Sequence, residues 1–380
     1  MAQKNSNLLA IGLVMGGVIG AGVFSLPYAF IQVGLGRSLL YLGFLTLISI
    51  INYFLFVEVI LKTPGQRNYV GLATYYFGKT GEAISFLTSV AIVFLVLFIY
   101  LILAGRFVAL IWPNVSPLFT ALPFWLLASI STFFNIKKLV EVEFLTSIAI
   151  GFIVLIIFIF SLSNFSANNL VDYFQGLPMA GFWFPVGPIL FALSGRAAIS
   201  ELIKYTKKDV KKIIFLSFAA IAAIYFIFSV SVVVLTNGSA SEDTITGLAG
   251  QLPSVIIFLI VVMGLMALWH IYVLLGFDLN NILTKDLKWP EVISGLVVVF
   301  VPLLLYLINW QSFFVIVAIV GGIFATAENI LIILMWLKMK REKELPHWLA
   351  CLALAVFVVI FVHESLVQVG RLDFTSWLGW

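Results

Sequence analysis

The chain reads as an all-α polytopic membrane protein, and three observations carry that reading. Hydrophobic residues fill 63% of the 380 positions and charged residues only 10%, with a mean hydropathy of +1.17. A soluble domain is about 25% charged, so this much apolar side chain has no aqueous solution. Apolar runs of roughly 20 residues, each long enough to cross hydrocarbon as a helix, recur along the whole chain. Two of those runs are interrupted by glycine and proline at corresponding places.

Eleven spans are expected, near 8–33, 38–61, 83–111, 118–134, 142–163, 181–203, 213–236, 253–284, 290–308, 311–337 and 347–369. Met1 to Asn7, with Lys4, resembles the start of a signal peptide, but the apolar run behind it is too long, so it is read as an uncleaved first span. Loop charge sets the orientation. With the N-terminus inside, 17 of the 21 Lys and Arg residues fall in cytoplasmic segments, and only Arg37 and Arg371 lie outside. The expected topology is therefore N-terminus cytoplasmic and C-terminus outside, in the cell membrane. No linker rich in Gly, Ser or Pro divides the chain, so residues 1–380 are expected to form one domain.

The first span holds Gly16, Gly17, Gly20 and Gly22 within seven residues, followed by Pro27. Open backbone at membrane depth is tolerated only where protein buries it or a cavity adjoins it. The spacing predicts a helix that breaks at Gly20-Ala21-Gly22 and restarts at Val23. The sixth span carries Pro185 and Pro188, then Ala192-Leu193-Ser194-Gly195 and Arg196 at membrane depth. It begins five helices after the first, so spans 1–5 (about 8–163) and 6–10 (about 181–337) run in opposite senses. That is an inverted repeat with one extra helix (about 347–369). Matched interrupted segments in two halves are the sequence pointer to a transport site.

A site follows from those breaks. The amides of Val23, Phe24 and Ser25, at the positive end of a half-helix, suit a carboxylate. The carbonyls from Leu190 to Ala192 are expected to be free for an ammonium. Gly17, Gly20, Ala21, Gly22, Phe191, Ala192, Ser194 and Gly195 would shape the chamber, with Tyr100 and His270 choosing the side chain. Arg196 costs about 2.5–3.5 kcal/mol at a helix centre, so it either binds a substrate carboxylate or pairs with Glu201 or another acid. Glu328 is the deepest acid in the tenth span and is either a proton site or the partner of a buried base. Asp278 is a candidate coupling residue. His270 is expected to be a hydrogen-bonded packing residue or a relay, and Arg106 to reach toward the outer interface. The loop from Lys62 to Glu82 has helical spacing over Tyr69–Phe77, and Asn237–Gln251 is a candidate external cap.

The runs GGVIGAGVFSLPYAF (16–30), TYYFGKTGEAIS (74–85) and FPVGPILFALSGRAAISE (184–201) resemble the amino acid/auxin permease family, which includes bacterial aromatic amino acid permeases. The resemblance covers spans one to three and six. It implies a leucine-transporter-type 5+5 fold and secondary transport of amino acids, aromatic or bulky apolar ones among them. Sodium sites of that fold take hydroxyls from span eight, yet Val255–Leu283 contains no Ser or Thr, and span five offers no lysine in place of sodium. The coupling ion is therefore expected to be the proton. A non-transporting receptor with a transporter fold, like a germinant-receptor membrane subunit, is the alternative. An enzyme is not expected, because three scattered histidines and the single Cys351 supply neither a metal cluster nor a nucleophile–base pair. No cofactor, metal or nucleic-acid partner is expected.

Overall fold

The structure, a computed structural model, describes residues 2–371 except Gln66, 134–138, 165–172, 174–180, 309–311 and 341–343. It does not describe the side chains of 2–6, Pro117, 139–147, Asn164, 285–286 and 369–371. Lys137, Lys138, Arg341, Lys343 and most of the connection between the two expected repeats lie outside the described residues.

Every described element is helical. The chain opens with α1 (Ala2–Val18), a 3-10 turn (Ala21–Ser25) and α2 (Leu26–Val33), followed by α3 (Leu35–Lys62) and α4 (Tyr69–Ile111). Gly78 sits inside α4 at φ 63°, ψ −145°, a region that favours glycine. A helix is thus present over Tyr69–Phe77, and Gly78 turns it into the third span. Then come α5 (Pro117–Ser131), α6 (Leu139–Ser161), α7 (Val186–Ala192), α8 (Arg196–Tyr205) and α9 (Val210–Leu235). A short α10 (Ile245–Leu248) precedes α11 (Ser254–Asn281) and α12 (Glu291–Leu307). In the tenth span, α13 (Phe313–Ile319) passes through a π turn (Val320–Ala325) into α14 (Thr326–Lys338), and α15 (His347–Arg371) ends the bundle.

Among the described residues, seven helices are long and apolar enough to cross a membrane. The pair Asn7–Val18 and Ala21–Val33, bent by 54°, makes an eighth if it is one span. Three shorter apolar helices fall at the fourth, fifth and ninth expected spans.

The spans pack as two groups. One is α1 with α8 and α9, and α3 with α7, α8 and α9; the other is α4 with α5, α11 and α12. α6 bridges the groups through α1, α9 and α11, and α14 bridges them through α3 and α4. Lipid tails are as apolar as leucine, so close packing through small residues holds such helices together. A Cβ on Gly187 would meet the Ala318 carbonyl at 2.7 Å, and one on Gly264 would meet the Phe107 ring at 2.7 Å. Where the end of α3 meets α9 and α14, the buried Glu58 carboxylate accepts from Trp336 Nε1 (2.9 Å) and Lys211 Nζ (3.1 Å). Lys211 and Lys62 also bond Glu344 and hold its carboxyl below the ordinary range.

Candidate functional site

In the first span the helical ladder ends with Ile19 N–H donating to Met15 C=O at 2.8 Å. Gly20 then takes φ −131°, ψ −145°, and the chain tightens into the 3-10 turn. The turn serves its own backbone: Val23 N–H reaches Gly20 C=O at 3.4 Å, and Ser25 Oγ donates to Gly22 C=O at 2.8 Å. The Ala21 amide faces the Tyr100 hydroxyl. Tyr100 also fills the space beside Gly20, where an added Cβ would lie 2.6 Å from its oxygen. Gly17 lies on α1, one residue before its end.

In the sixth span only Leu193, Ser194 and Gly195 leave the helix, between α7 and α8. The expectation of free carbonyls there needs correction. Leu190 C=O accepts from Ser194 Oγ (2.9 Å), Phe191 C=O from Ser194 N–H (3.1 Å) and Ala192 C=O from Tyr225 Oη (2.8 Å). Tyr53 Oη accepts from Gly195 N–H at 2.7 Å and donates to Leu193 C=O at 2.9 Å. In hydrocarbon an unpaired backbone group costs several kcal/mol, so neighbouring tyrosines take up what the helix releases. Each carbonyl keeps a second lone pair, and that is what remains for a ligand. The two interruptions touch: a Cβ on Gly22 would lie 2.6 Å from Ala192 Cα, and one on Gly195 would lie 2.8 Å from Val18 Cγ2.

Beside the first interruption is a small pocket. Gly20, Val23 and Phe24 form one wall, Ile150, Ile153 and Val154 of α6 another, and Phe228 of α9 a third. Gly264, Ala267, Leu268 and Ile271 of α11 close it. Phe24 meets Phe107 and Phe228 edge-on, with ring centroids at 5.5 and 6.0 Å. An apolar chamber against a stretch of irregular backbone suits a ligand with a polar head and an apolar body. His270 is not on its wall. It is buried, and neither ring nitrogen has a hydrogen-bond partner among the described residues, so the hydrogen bond expected of a packing histidine is not found among them.

The titratable residues sort themselves. Arg196 Nε lies 2.5 Å from Glu328 Oε1, and its guanidinium covers the Tyr69 ring at 4.7 Å. Asp278 is near enough to act on both members of that pair. Glu201, expected as a partner for Arg196, instead bonds Lys204 at 2.6 Å on an exposed turn of α8. Next to this cluster Asn52 Nδ2 donates to Asn329 Oδ1 at 2.7 Å.

On the other side of the pocket, the loop expected as a cap comes down onto the first interruption. Thr244 Oγ1 donates to Phe24 C=O at 2.6 Å. Arg106, expected to reach toward the interface, pairs with buried Asp243 at 2.6 Å. Tyr53, Tyr225 and Asp243 are missing from the sequence-based site. A tyrosine in mid-span, away from the interfacial belts where tyrosine concentrates, needs a partner for its hydroxyl; that was the available signal.

Solved structures of transporters share this fold. MhsT in complex with L-phenylalanine superposes with a TM-score of 0.72 at 16% identity, over 94% of this chain and 98% of its own. The Eremococcus coleocola manganese transporter, bound to an aromatic bis-isothiourea substituted compound, gives 0.65 at 13% identity over 96% and 86%. Mhp1, a nucleobase-cation-symport-1 family transporter in a closed conformation with bromovinylhydantoin bound, gives 0.63 at 16% over 94% and 88%. Comparison with curated proteins found no match. The model of the tryptophan/tyrosine permease family matches residues 3–369, and the chain therefore belongs to that family, one of permeases rather than enzymes.

Proposed function

We propose that the protein is a secondary active transporter that imports aromatic or bulky apolar amino acids together with protons, by alternating access. The observation that carries this reading is the wholly apolar pocket set against the Gly20–Phe24 interruption. The irregular backbone would take the zwitterionic head while the pocket takes the side chain. Membership of a tryptophan/tyrosine permease family supports the substrate class.

Proton coupling draws support from two features. No Ser or Thr occurs in Val255–Leu283 for a sodium ion, and Glu328 is a buried carboxylate held by one guanidinium. Protonating Glu328 would release Arg196 and loosen α8 from α14, linking the proton to the inner half of the sixth span. The bias of loop lysines and arginines supports eleven spans in the cell membrane with a cytoplasmic N-terminus. The two interrupted spans support two inverted repeats with α15 outside them, and with them the wider amino acid/auxin permease kinship.

The test is uptake of labelled tryptophan, tyrosine and phenylalanine into proteoliposomes under an imposed proton or sodium gradient. Saturable uptake driven by the proton gradient alone is expected. Uptake driven only by sodium would remove the coupling claim, and no uptake of any amino acid would remove the transport claim.

A further inference from the structure

We propose that Tyr53 is a positioning residue that splices the sixth span open and sets the backbone receiving the substrate's ammonium group. The proposal rests on the amino acid reading above and adds a residue to it. In an uninterrupted helix, Gly195 N–H would bond the Phe191 carbonyl, and the Leu193 carbonyl would accept from residue 197. Here one phenolic oxygen replaces both partners, accepting from Gly195 N–H at 2.7 Å and donating to Leu193 C=O at 2.9 Å. A phenol has a single hydrogen to give, so the splice uses its donor and fixes its direction.

The ring is held to match. Tyr53 comes from α3, is 2% exposed, and packs on Phe218 of α9 with centroids 5.0 Å apart. Phe218 in turn lies 3.1 Å from where a Cβ of Gly195 would be. Tyr225 completes the arrangement by donating to the adjacent Ala192 carbonyl at 2.8 Å. Without the Tyr53 hydroxyl, residues 193–195 can recover those bonds only by closing back toward a helix. Ala192 lies against Gly22 of the first interruption, and closure would draw the carbonyls of Ala192 and Leu193 back into a helical ladder, away from an ammonium seated there.

The substitution Tyr53→Phe removes one oxygen and keeps the ring. Binding of L-tryptophan, tryptamine (ammonium without carboxylate) and indole-3-propionate (carboxylate without ammonium) to the purified full-length protein reads out the head group separately. Tyr53→Phe is expected to weaken tryptophan and tryptamine roughly tenfold or more, the range set by a lost buried hydrogen bond. Indole-3-propionate should change by less than about twofold. Equal weakening of all three would make Tyr53 merely structural, and unchanged binding of all three would remove its role; either overturns the proposal. If the unmodified protein binds none of the three, the amino acid reading fails and takes this assignment with it. Should Tyr53→Phe not fold, hydrogen exchange in the unmodified protein decides the matter: the Gly195 amide should be strongly protected without ligand, and exchange at the rate of an open amide would overturn the splice.

Discussion

The first span leaves its helix over Ile19 and Gly20 and returns through a 3-10 turn with a 54° bend, whereas the sixth loses only Leu193 to Gly195 between two helices. Glycine makes the first possible. Gly22 lets the turn lie against the backbone of Ala192, and the turn then satisfies its own carbonyls through Ser25. Tyrosine makes the second possible, because side chains from α3 and α9 supply the missing partners. A break built from glycine depends on space, and a break built from borrowed hydroxyls depends on neighbours. The two should therefore fail under different substitutions.

Glu328→Ala should cost the most, about 3 kcal/mol, because it takes the hydrogen-bonded carboxylate from the largely buried guanidinium of Arg196 at the start of α8. Chemical denaturation in detergent measures it, and hydrogen exchange should loosen residues 196–205 while leaving 19–25 unchanged. Equal loosening at both places would mean that the interruptions are not separable.

Gly22→Ala comes next, at up to about 3 kcal/mol of overpacking. Its Cβ would meet Ala192 Cα at 2.6 Å and the amide nitrogen at 3.0 Å, and main chain cannot step aside as a side chain can. Gly195→Ala should cost roughly 1–2 kcal/mol, since its Cβ meets side chains, Val18 Cγ2 at 2.8 Å and Phe218 Cζ at 3.1 Å. A larger loss for Gly195→Ala than for Gly22→Ala, by thermal melting, would reverse the contrast drawn above.

Gly43→Ala is the smallest. Nothing lies within 4 Å of its Cβ, so the change should be neutral or stabilise by up to about 1 kcal/mol through helix propensity. A destabilisation comparable to Gly195→Ala would show that glycine matters in these helices for reasons other than contact.

The same contrast explains what could be read from the residues alone. The all-helical class was legible because composition and run length follow directly from the lipid solvent. The glycines at 16–22 marked the first interruption because a local cluster is visible locally. The sixth span was visible as a disturbed stretch, but its hydroxyl partners were not, since Tyr53 lies 140 residues from Leu193. Arg196 announced a need for an acid without naming it. Glu201, five residues away, was the nearer candidate, but it lies on an exposed turn beside Lys204, and the partner proved to be Glu328, 132 residues on. The free carbonyls were expected because helix geometry alone supplies no substitute for a broken ladder. The substitutes come from packing, which one-dimensional periodicity does not encode.

If the apolar chamber beside the first interruption holds the substrate side chain, filling it must abolish binding without unfolding the bundle. Ala267 lies on its wall, and Ala267→Phe places a ring inside it. Measured by L-tryptophan binding to the purified protein, Ala267→Phe should lose affinity by about a hundredfold or more, with the ligand-free protein still folded and its melting temperature lowered by the overpacking. Tryptophan affinity equal to that of the unmodified protein would place the substrate elsewhere.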